Sequence, residues 1–264
     1  MCLIHKVISL ITIRPLNSNA VLSTSVFIDW EGTRLLLDIG PGTVTKLVEN
    51  RIPTSNLNGV LISHSHIDHF WDLVPLLWLR YIRNQTGELK IICPSSDKPL
   101  IEWCIKVSQT ENPIEVYSID GEGTACLRQL VVRSFNADHE TSKHPLGYLI
   151  TEENLSGSRS KRRKIVYSGD SQSTSELKKN AEGADLLIIE STYPHKPVDH
   201  VLRKGHMTVD EALNVALKAE VKNVLLTHFS MRYSLKEFQK AAESFQRSRE
   251  GAPNIFLGEK SFII

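Results

Sequence analysis

The feature that most constrains this chain is the stretch His64-Ser65-His66-Ile67-Asp68-His69, which reads H-x-H-x-D-H. It follows directly on the apolar run Gly59-Val60-Leu61-Ile62. That run predicts a buried strand ending where the ligand-type residues begin. Phe70-Trp71-Asp72-Leu73 then opens an amphipathic segment with helical spacing. A strand-to-helix loop is where an α/β sheet places its chemistry. Residues two apart in an extended chain point the same way, so His64 and His66 can reach one ion. Asp68 and His69 follow as the chain turns, and can face a second position. Divalent transition ions accept imidazole and carboxylate ligands readily. A polar loop with incidental histidines would explain a single H-x-H, but not four ligand-type residues in six positions.

A core must surround that loop. The 264 residues, 41% of them hydrophobic, suit a single domain spanning 1–264. Strands are expected at 4–13, 25–29, 33–39, 90–93, 114–119, 127–135, 147–151, 165–167, 185–189 and 223–227, with turn chemistry at 16–19 and at Glu31-Gly32. Helices are expected at 43–50, 70–83 and 99–107. In the second of these, Pro75 sits in the first turn, and Leu73, Leu76, Leu77, Trp78 and Tyr81 are read as core positions. Capping boxes at Thr208…Glu211 and Ser234…Glu237 open two more helices. Strands early and α/β alternation late predict an α/β (α+β) fold of sheets covered by helices.

Bulk properties exclude little. A net charge of +1 is neutral on nucleic acid. Cys2, Cys93, Cys104 and Cys126 are scattered without a C-x-x-C, as expected of reduced, mostly buried thiols in a cytoplasmic protein. Residues 1–16 are too short, and too interrupted by His5, Lys6 and Arg14, for a membrane span, so no membrane partner is expected.

Four later strand ends carry further ligand-type residues: His139 after Phe135-Asn136-Ala137-Asp138, Asp170 after Tyr167-Ser168-Gly169, Glu190 after Ile189, and His228 after Thr227. A turn or cap explains any one of them, but the set repeats a geometry that gathers ligands at one sheet edge. Buried ionisable groups are costly unless paired or metal-bound. The set can hold two ions. His64, His66 and His139 would take one, Asp68, His69 and His228 the other, and Asp170 would bridge them. Two ions about 3.5–4 Å apart suit water attack on a phosphodiester or another ester. Zinc, manganese and iron all suit these donors.

These residues resemble the metallo-β-lactamase superfamily, whose signature is H-x-H-x-D-H and whose remaining ligand motifs match His139, Asp170 and His228 in order. The resemblance implies a four-layer αββα sandwich with a dinuclear site, usually zinc. Within the superfamily the chain is most similar to the ribonuclease Z (tRNase Z) group. Ser168-Gly169-Asp170-Ser171 resembles S-G-D-T, and His139 with Leu146-Gly147-Tyr148 resembles H…L-G-Y. Glu190-Ser191-Thr192 and His206-Met207-Thr208 resemble the paired H-E-A-T and H-S-T motifs. Leu226 to Tyr233 resembles L-x-H-x-S-x-R-Y. The resemblance implies that Glu190 orients His206, that His206 donates a proton to the leaving 3′ oxygen, and that Asp68 belongs to the catalytic set. An imidazole is well suited to that acid role. It also implies a homodimer, and Ser230 and Arg232 are candidates for phosphate contact, while the helix opening at Thr208 can attract phosphate through its free N–H groups.

The chain departs from the group's pattern in places. Ile189 precedes Glu190 where the group has His, and Asp38-Ile39-Gly40-Pro41-Gly42-Thr43 replaces a G-E-G-T turn. Trp71-Asp72-Leu73 stands where a G-L segment is usual. Only 30 residues separate His139 from Asp170, an interval that often holds a long arm gripping tRNA. Here it carries Arg159-Ser160-Lys161-Arg162-Arg163-Lys164, a cationic run in which Arg162 and Arg163 are candidates for phosphate contact. Three readings therefore compete. The first is a metal-dependent phosphodiesterase of the ribonuclease Z kind, acting on RNA. The second is a hydrolase of small cyclic phosphodiesters or other esters. The third is a non-catalytic RNA-binding member.

Overall fold

The computed structural model of the protein describes residues 11–19, 23–110, 113–152, 163–197, 205–258 and 261–264. The chain first forms a meander of β1 (Ile11–Asn19), β2 (Ser23–Trp30) and β3 (Thr33–Leu37). Glu31 and Gly32 join the last two, with φ of 49° and 82°, the left-handed pair that matches strand twist in a two-residue hairpin. Three strands then extend this sheet in parallel: β4 (Gly59–Leu61), β5 (Leu89–Pro94) and β6 (Ile114–Ile119). The second sheet repeats the plan. β7 (Gly123–Leu127), β8 (Leu130–Asn136), β9 (Leu146–Glu152) and β10 (Lys164–Tyr167) run antiparallel. β11 (Leu186–Glu190), β12 (Asn223–Thr227) and β13 (Asn254–Leu257) add on in parallel. The short β14 (Phe262–Ile263) returns to pair with β1 in the first sheet.

Alternation along the strands builds the layers. On β3, Leu35 and Leu37 enter the core between the sheets, while Leu36 enters a second core beneath helices. On β11, Ile188 faces the other sheet and Leu187 a third core. Both faces of each sheet are covered, so these strands read as unbroken apolar runs. Over the first sheet lie α1 (Thr43–Glu49), α2 (Ile67–Phe70), α3 (Leu73–Ile82) and α4 (Lys98–Val107). Over the second lie α5 (Ser175–Ala181), α6 (Val209–Lys218) and α7 (Leu235–Ser248). The result is the αββα sandwich. Burying each Leu or Ile side chain in its three cores is worth about 1.5–3 kcal/mol.

Both expected capping boxes form, at Thr208 and at Ser234. Several other expectations are corrected. The first described strand begins at Ile11 and runs through 16–19, where the sequence predicts a turn; residues 4–10 lie outside the described residues. A register shift between Pro15 and Asn17 absorbs the proline, which has no N–H for the ladder. The helix expected at 70–83 spans only Leu73–Ile82, after the separate single turn of α2. The break falls at Asp72, whose Oδ2 accepts the Val44 N–H at the start of α1 at 2.9 Å. Trp78 and Tyr81 are not core: they are 44% and 38% exposed. Arg80 is buried there instead, its guanidinium donating to the carbonyls of Thr54 and Gly87. The 127–135 strand is a hairpin, turning at Arg128 and Gln129, and α5, β13 and β14 were not anticipated. Cys126 is exposed, whereas Cys93 and Cys104 are buried free thiols. Among the described residues no helix is long and apolar enough to cross a membrane.

Candidate metal centre

The C-terminal ends of β3, β4, β8, β10, β11 and β12 all open onto one edge of the sandwich, and the ligand-type residues follow them there. His64 Nε2 and His139 Nε2 lie 2.8 and 3.3 Å from His66 Nδ1, so three imidazole nitrogens converge on one point. Asp68 and His69 sit in the single turn of α2 rather than in a loop. Asp68 Oδ2 is 3.3 Å from His69 Nε2 and 3.4 Å from His228 Nε2, which makes a second triangle. Asp170 Oδ2 lies between the two triangles. It is 3.3 Å from His69, 3.2 Å from His228, and 3.9 Å from both His64 and His139.

These groups fit divalent ions. His69 Nε2 and Asp170 Oδ1 are buried with no hydrogen-bond partner, a costly state for polar atoms that an ion would relieve. The two triangles each bring three donor atoms within 4.8 Å of one another. Burial and the neighbouring His69 push His64 well below its ordinary pKa, and burial takes His139 down to about 4. Both rings are thus neutral, as ligation requires. Burial alone would raise Asp170 and Asp68, but the histidines around them hold both carboxyls well below the usual carboxylate range.

The chain braces these side chains from behind. Asp38, at the end of β3, is fully buried. Its Oδ1 accepts the Ser63 N–H at 2.7 Å, and its Oδ2 accepts Ser63 Oγ at 2.7 Å, His69 Nδ1 at 2.6 Å and the Tyr167 hydroxyl. His64 Nδ1 in turn donates to Ser63 Oγ at 3.0 Å. Spending each Nδ1 on a rear partner leaves Nε2 for an ion. The backbone is strained at the same places. Asp38 and His228 have φ of 55° and 61°, in the left-handed region that costs about 1–3 kcal/mol and recurs at functional sites. Close approach also demands glycine: a Cβ on Gly40 would collide with the Asp68 carbonyl.

A second constellation adjoins the first. His206 Nδ1 lies 3.0 Å from Glu190 Oε1. The His206 ring centroid stands 4.8 Å from that of His139 and 5.1 Å from that of His228. Burial would lower the pKa of His206, but Glu190 outweighs it and lifts the ring to about 9. A ring that keeps its proton is an acid rather than a ligand. Thr192 links the two constellations: His228 Nδ1 donates to Thr192 Oγ1 at 2.8 Å, and that hydroxyl donates to Glu190 Oε2 at 2.8 Å.

The expected phosphate contacts fare unevenly. Ser230 is buried beside the centre, with its N–H on the Thr192 carbonyl, and Arg232 is exposed two residues on. Thr208 caps α6 as expected, its hydroxyl paired with Glu211, and the helix that could attract phosphate through its free N–H groups begins there. Arg163 is not at the site. It precedes β10 at the end opposite Asp170, roughly 20 Å away at strand rise, and donates to the Ile264 carbonyl. Arg162 and most of the 159–164 run lie outside the described residues. Sequence reasoning missed Asp38, Ser63, Thr192 and Tyr167 as supporting residues. Their signal is place rather than motif: each stands at a strand end beside a ligand.

Comparison with known proteins agrees with this geometry. The Beta-lactamase superfamily domain matches residues 33–229. Ribonuclease Z of Archaeoglobus fulgidus is 29% identical over 254 residues, covering 80% of this chain and 83% of that protein. Ribonuclease Z of Pyrobaculum islandicum is 30% identical over 258 residues, covering 85% and 86%. The metallo-beta-lactamase fold protein YhfI of Bacillus subtilis superposes with a TM-score of 0.79 over 97% of this chain and 99% of its own, at 19% identity, a likeness of fold. With this edge, this sandwich and these relatives, the chain belongs to the metallo-β-lactamase superfamily and is a ribonuclease Z-like, metal-dependent hydrolase.

Proposed function

We propose that the protein cleaves a phosphodiester in RNA at a dinuclear centre, with His206 as the general acid. The observation that carries this reading is the Glu190–His206 pair standing against rings of both triangles. His64, His66 and His139 would hold one divalent ion and Asp68, His69 and His228 the other, with Asp170 shared; the donor set suits zinc first, and manganese or iron. Bound there, the ions supply the Lewis acidity that activates a water and offsets charge developing on the phosphate. The chain's own residues do the rest. Glu190 fixes the His206 ring and keeps it protonated, and His206 gives that proton to the departing 3′ oxygen. Ser230 and Arg232, just after His228 in the chain, would contact the phosphate oxygens.

The test is a 3′-extended tRNA precursor and bis(p-nitrophenyl) phosphate, given to protein loaded with Zn²⁺. Cleavage of both is expected. His206→Ala should lower the rate on RNA by about 10²–10⁴-fold with metal retained. The nitrophenyl ester, whose leaving group needs little protonation, should suffer far less. No cleavage of either substrate by metal-loaded protein sinks the reading. The short interval between His139 and Asp170 favours a second reading, a small cyclic phosphodiester as substrate; turnover of cyclic nucleotides without RNA cleavage would select it.

The partner reading is a homodimer in the cytoplasm, where the free thiols of Cys93, Cys104 and Cys126 stay reduced. Its support is a seam of exposed Ile67, Trp71, Trp78 and Ile82, continued by Trp103 and Val107 on the adjacent α4. Taking about 200 Å² for each large side chain when fully exposed, their exposed fractions amount to roughly 600 Å² on one chain. A standard interface needs ~800 Å² per partner. Sedimentation should show a dimer that Trp78→Lys with Trp103→Lys converts to monomer; a monomeric wild-type protein overturns it.

A further inference from the structure

Asp97 is a buried carboxylate that neither the fold nor the catalytic reading uses. It lies between β5 and α4 and is only 9% exposed. It occupies the N-cap position of α4, yet its side chain caps nothing. Its Oδ1 accepts from Ser65 Oγ at 3.0 Å and from Ser96 Oγ at 3.2 Å, while Oδ2 is buried with no hydrogen-bond partner. Ser65 is the residue between His64 and His66. Alternation along an extended segment turns its side chain away from the point where those two rings meet. The hydroxyl therefore ties the back of the H-x-H segment to Asp97. Burial raises the pKa of this carboxyl, against the hydrogen bonds from Ser65 and Ser96 and the nearby His66 and His144, which favour the charged form.

We propose that Asp97 is a positioning residue for the first triangle: through Ser65 it sets the H-x-H segment, and its negative charge favours a cation held by His64, His66 and His139. The inference rests on the reading of those three residues as ligands. A carboxylate buried with an unmatched oxygen destabilises the metal-free fold, because burying an unpaired charge is costly. It favours the metal-loaded form, because a divalent cation close by offsets that charge. Other residues do not supply this brace. The rear nitrogen of His139 is buried without a partner. Among the described residues only His64 in this triangle has a rear hydrogen bond, to Ser63. Outer partners of metal-binding histidines are worth about 10–100-fold in metal affinity.

The test needs no substrate. Zn²⁺ affinity is measured by competition with a chromophoric chelator, together with the visible spectrum of the Co²⁺-loaded protein and the Tm of metal-free protein. Asp97→Asn keeps the shape and removes the charge. It is expected to weaken Zn²⁺ binding about 10-fold and shift the Co²⁺ bands, with metal-free Tm unchanged or raised. Ser65→Ala should weaken Zn²⁺ binding in the same direction and by less. Wild-type Zn²⁺ affinity in Asp97→Asn overturns the inference, and so does a metal-free Tm that drops with the affinity, since that marks a purely structural role. If the wild-type protein itself holds no Zn²⁺, the dinuclear reading falls as well; if it holds Zn²⁺ but cleaves no RNA, only the substrate reading falls.

Discussion

His64 and His69 leave the same short segment and end in opposite electrostatic states. Burial and the adjacent His69 drive His64 well below its ordinary pKa. Burial acts on His69 too, but Asp170 in front and Asp38 behind overcome it and raise that ring well above 6.5. The contrast extends to the two triangles. The first is all imidazole and, among the described residues, has one rear hydrogen bond, from His64 to Ser63. The second includes a carboxylate, Asp68, and its rings are backed by Asp38 and by Thr192, which leads on to Glu190. For His64 and His69 the carboxylates in front and behind thus decide which ring waits as a free base and which holds a proton.

The largest expected effect comes from abolishing the contrast at its shared point. Asp170 is the carboxylate within 3.9 Å of rings from both triangles. Asp170→Asn should lower activity by more than about 100-fold, the upper range for losing even an outer partner, and should reduce bound Zn²⁺ measured by atomic absorption. Retention of two ions per chain would show the triangles to be independent. Next comes Asp38→Asn, which touches only the second triangle directly. A 10–100-fold loss of affinity for one ion of two is expected, read by stepwise Zn²⁺ titration. Equal weakening of both ions would break the distinction.

The inner structure of that contrast was only half legible in the sequence. That His64, His66, Asp68, His69, His139, Asp170 and His228 would gather at one sheet edge was readable because the set repeats one strand-end geometry, which a turn or cap explains only singly. Sheets covered by helices were readable because β3, β4, β11 and β12 are apolar on both faces, whereas the αββα order came from the family resemblance. Asp38 was not, because an acidic residue before Gly40-Pro41-Gly42 looks like turn chemistry. Only the parallel pairing of β3 with β4 places it behind Ser63 and His69. The exposure of Trp78 and Tyr81 was equally hidden. Their spacing is helical, but periodicity does not say which face is covered, and Arg80 took the inward position to reach the carbonyls of Thr54 and Gly87.

A smaller effect is expected in the pH profile. His206 carries its proton up to about pH 9, so the acid-dependent rate on RNA should hold through neutrality and fall as pH rises through that value. Glu190→Gln removes the partner that raises the ring, and should move this limb down toward the ordinary 6.5. The same pairing has a sign in stability. A folded-state pKa raised above 6.5 stabilises metal-free protein fully below that pH, and the gain is lost as pH climbs through about 9. A limb that stays put in Glu190→Gln would remove Glu190 from this role.

The smallest effect is the most direct reading of the difference between His64 and His69. In metal-free protein at neutral pH, His64 and His139 are already neutral, the latter with a pKa of about 4. His69 is protonated because its pKa is raised. An ion entering the first triangle displaces no proton from those two rings, whereas an ion entering the second must displace the one on His69. Zn²⁺ titrations by calorimetry in buffers of different ionisation enthalpy should therefore resolve one step that releases about one proton more than the other. Affinity in that step should rise with pH up to the His69 pKa, because proton and ion compete for one nitrogen. Asp38→Asn withdraws one of the two carboxylates that raise His69, so it should shrink the released proton along with the affinity. Equal proton release in both steps would mean that Asp38 and Asp170 do not set the two rings apart.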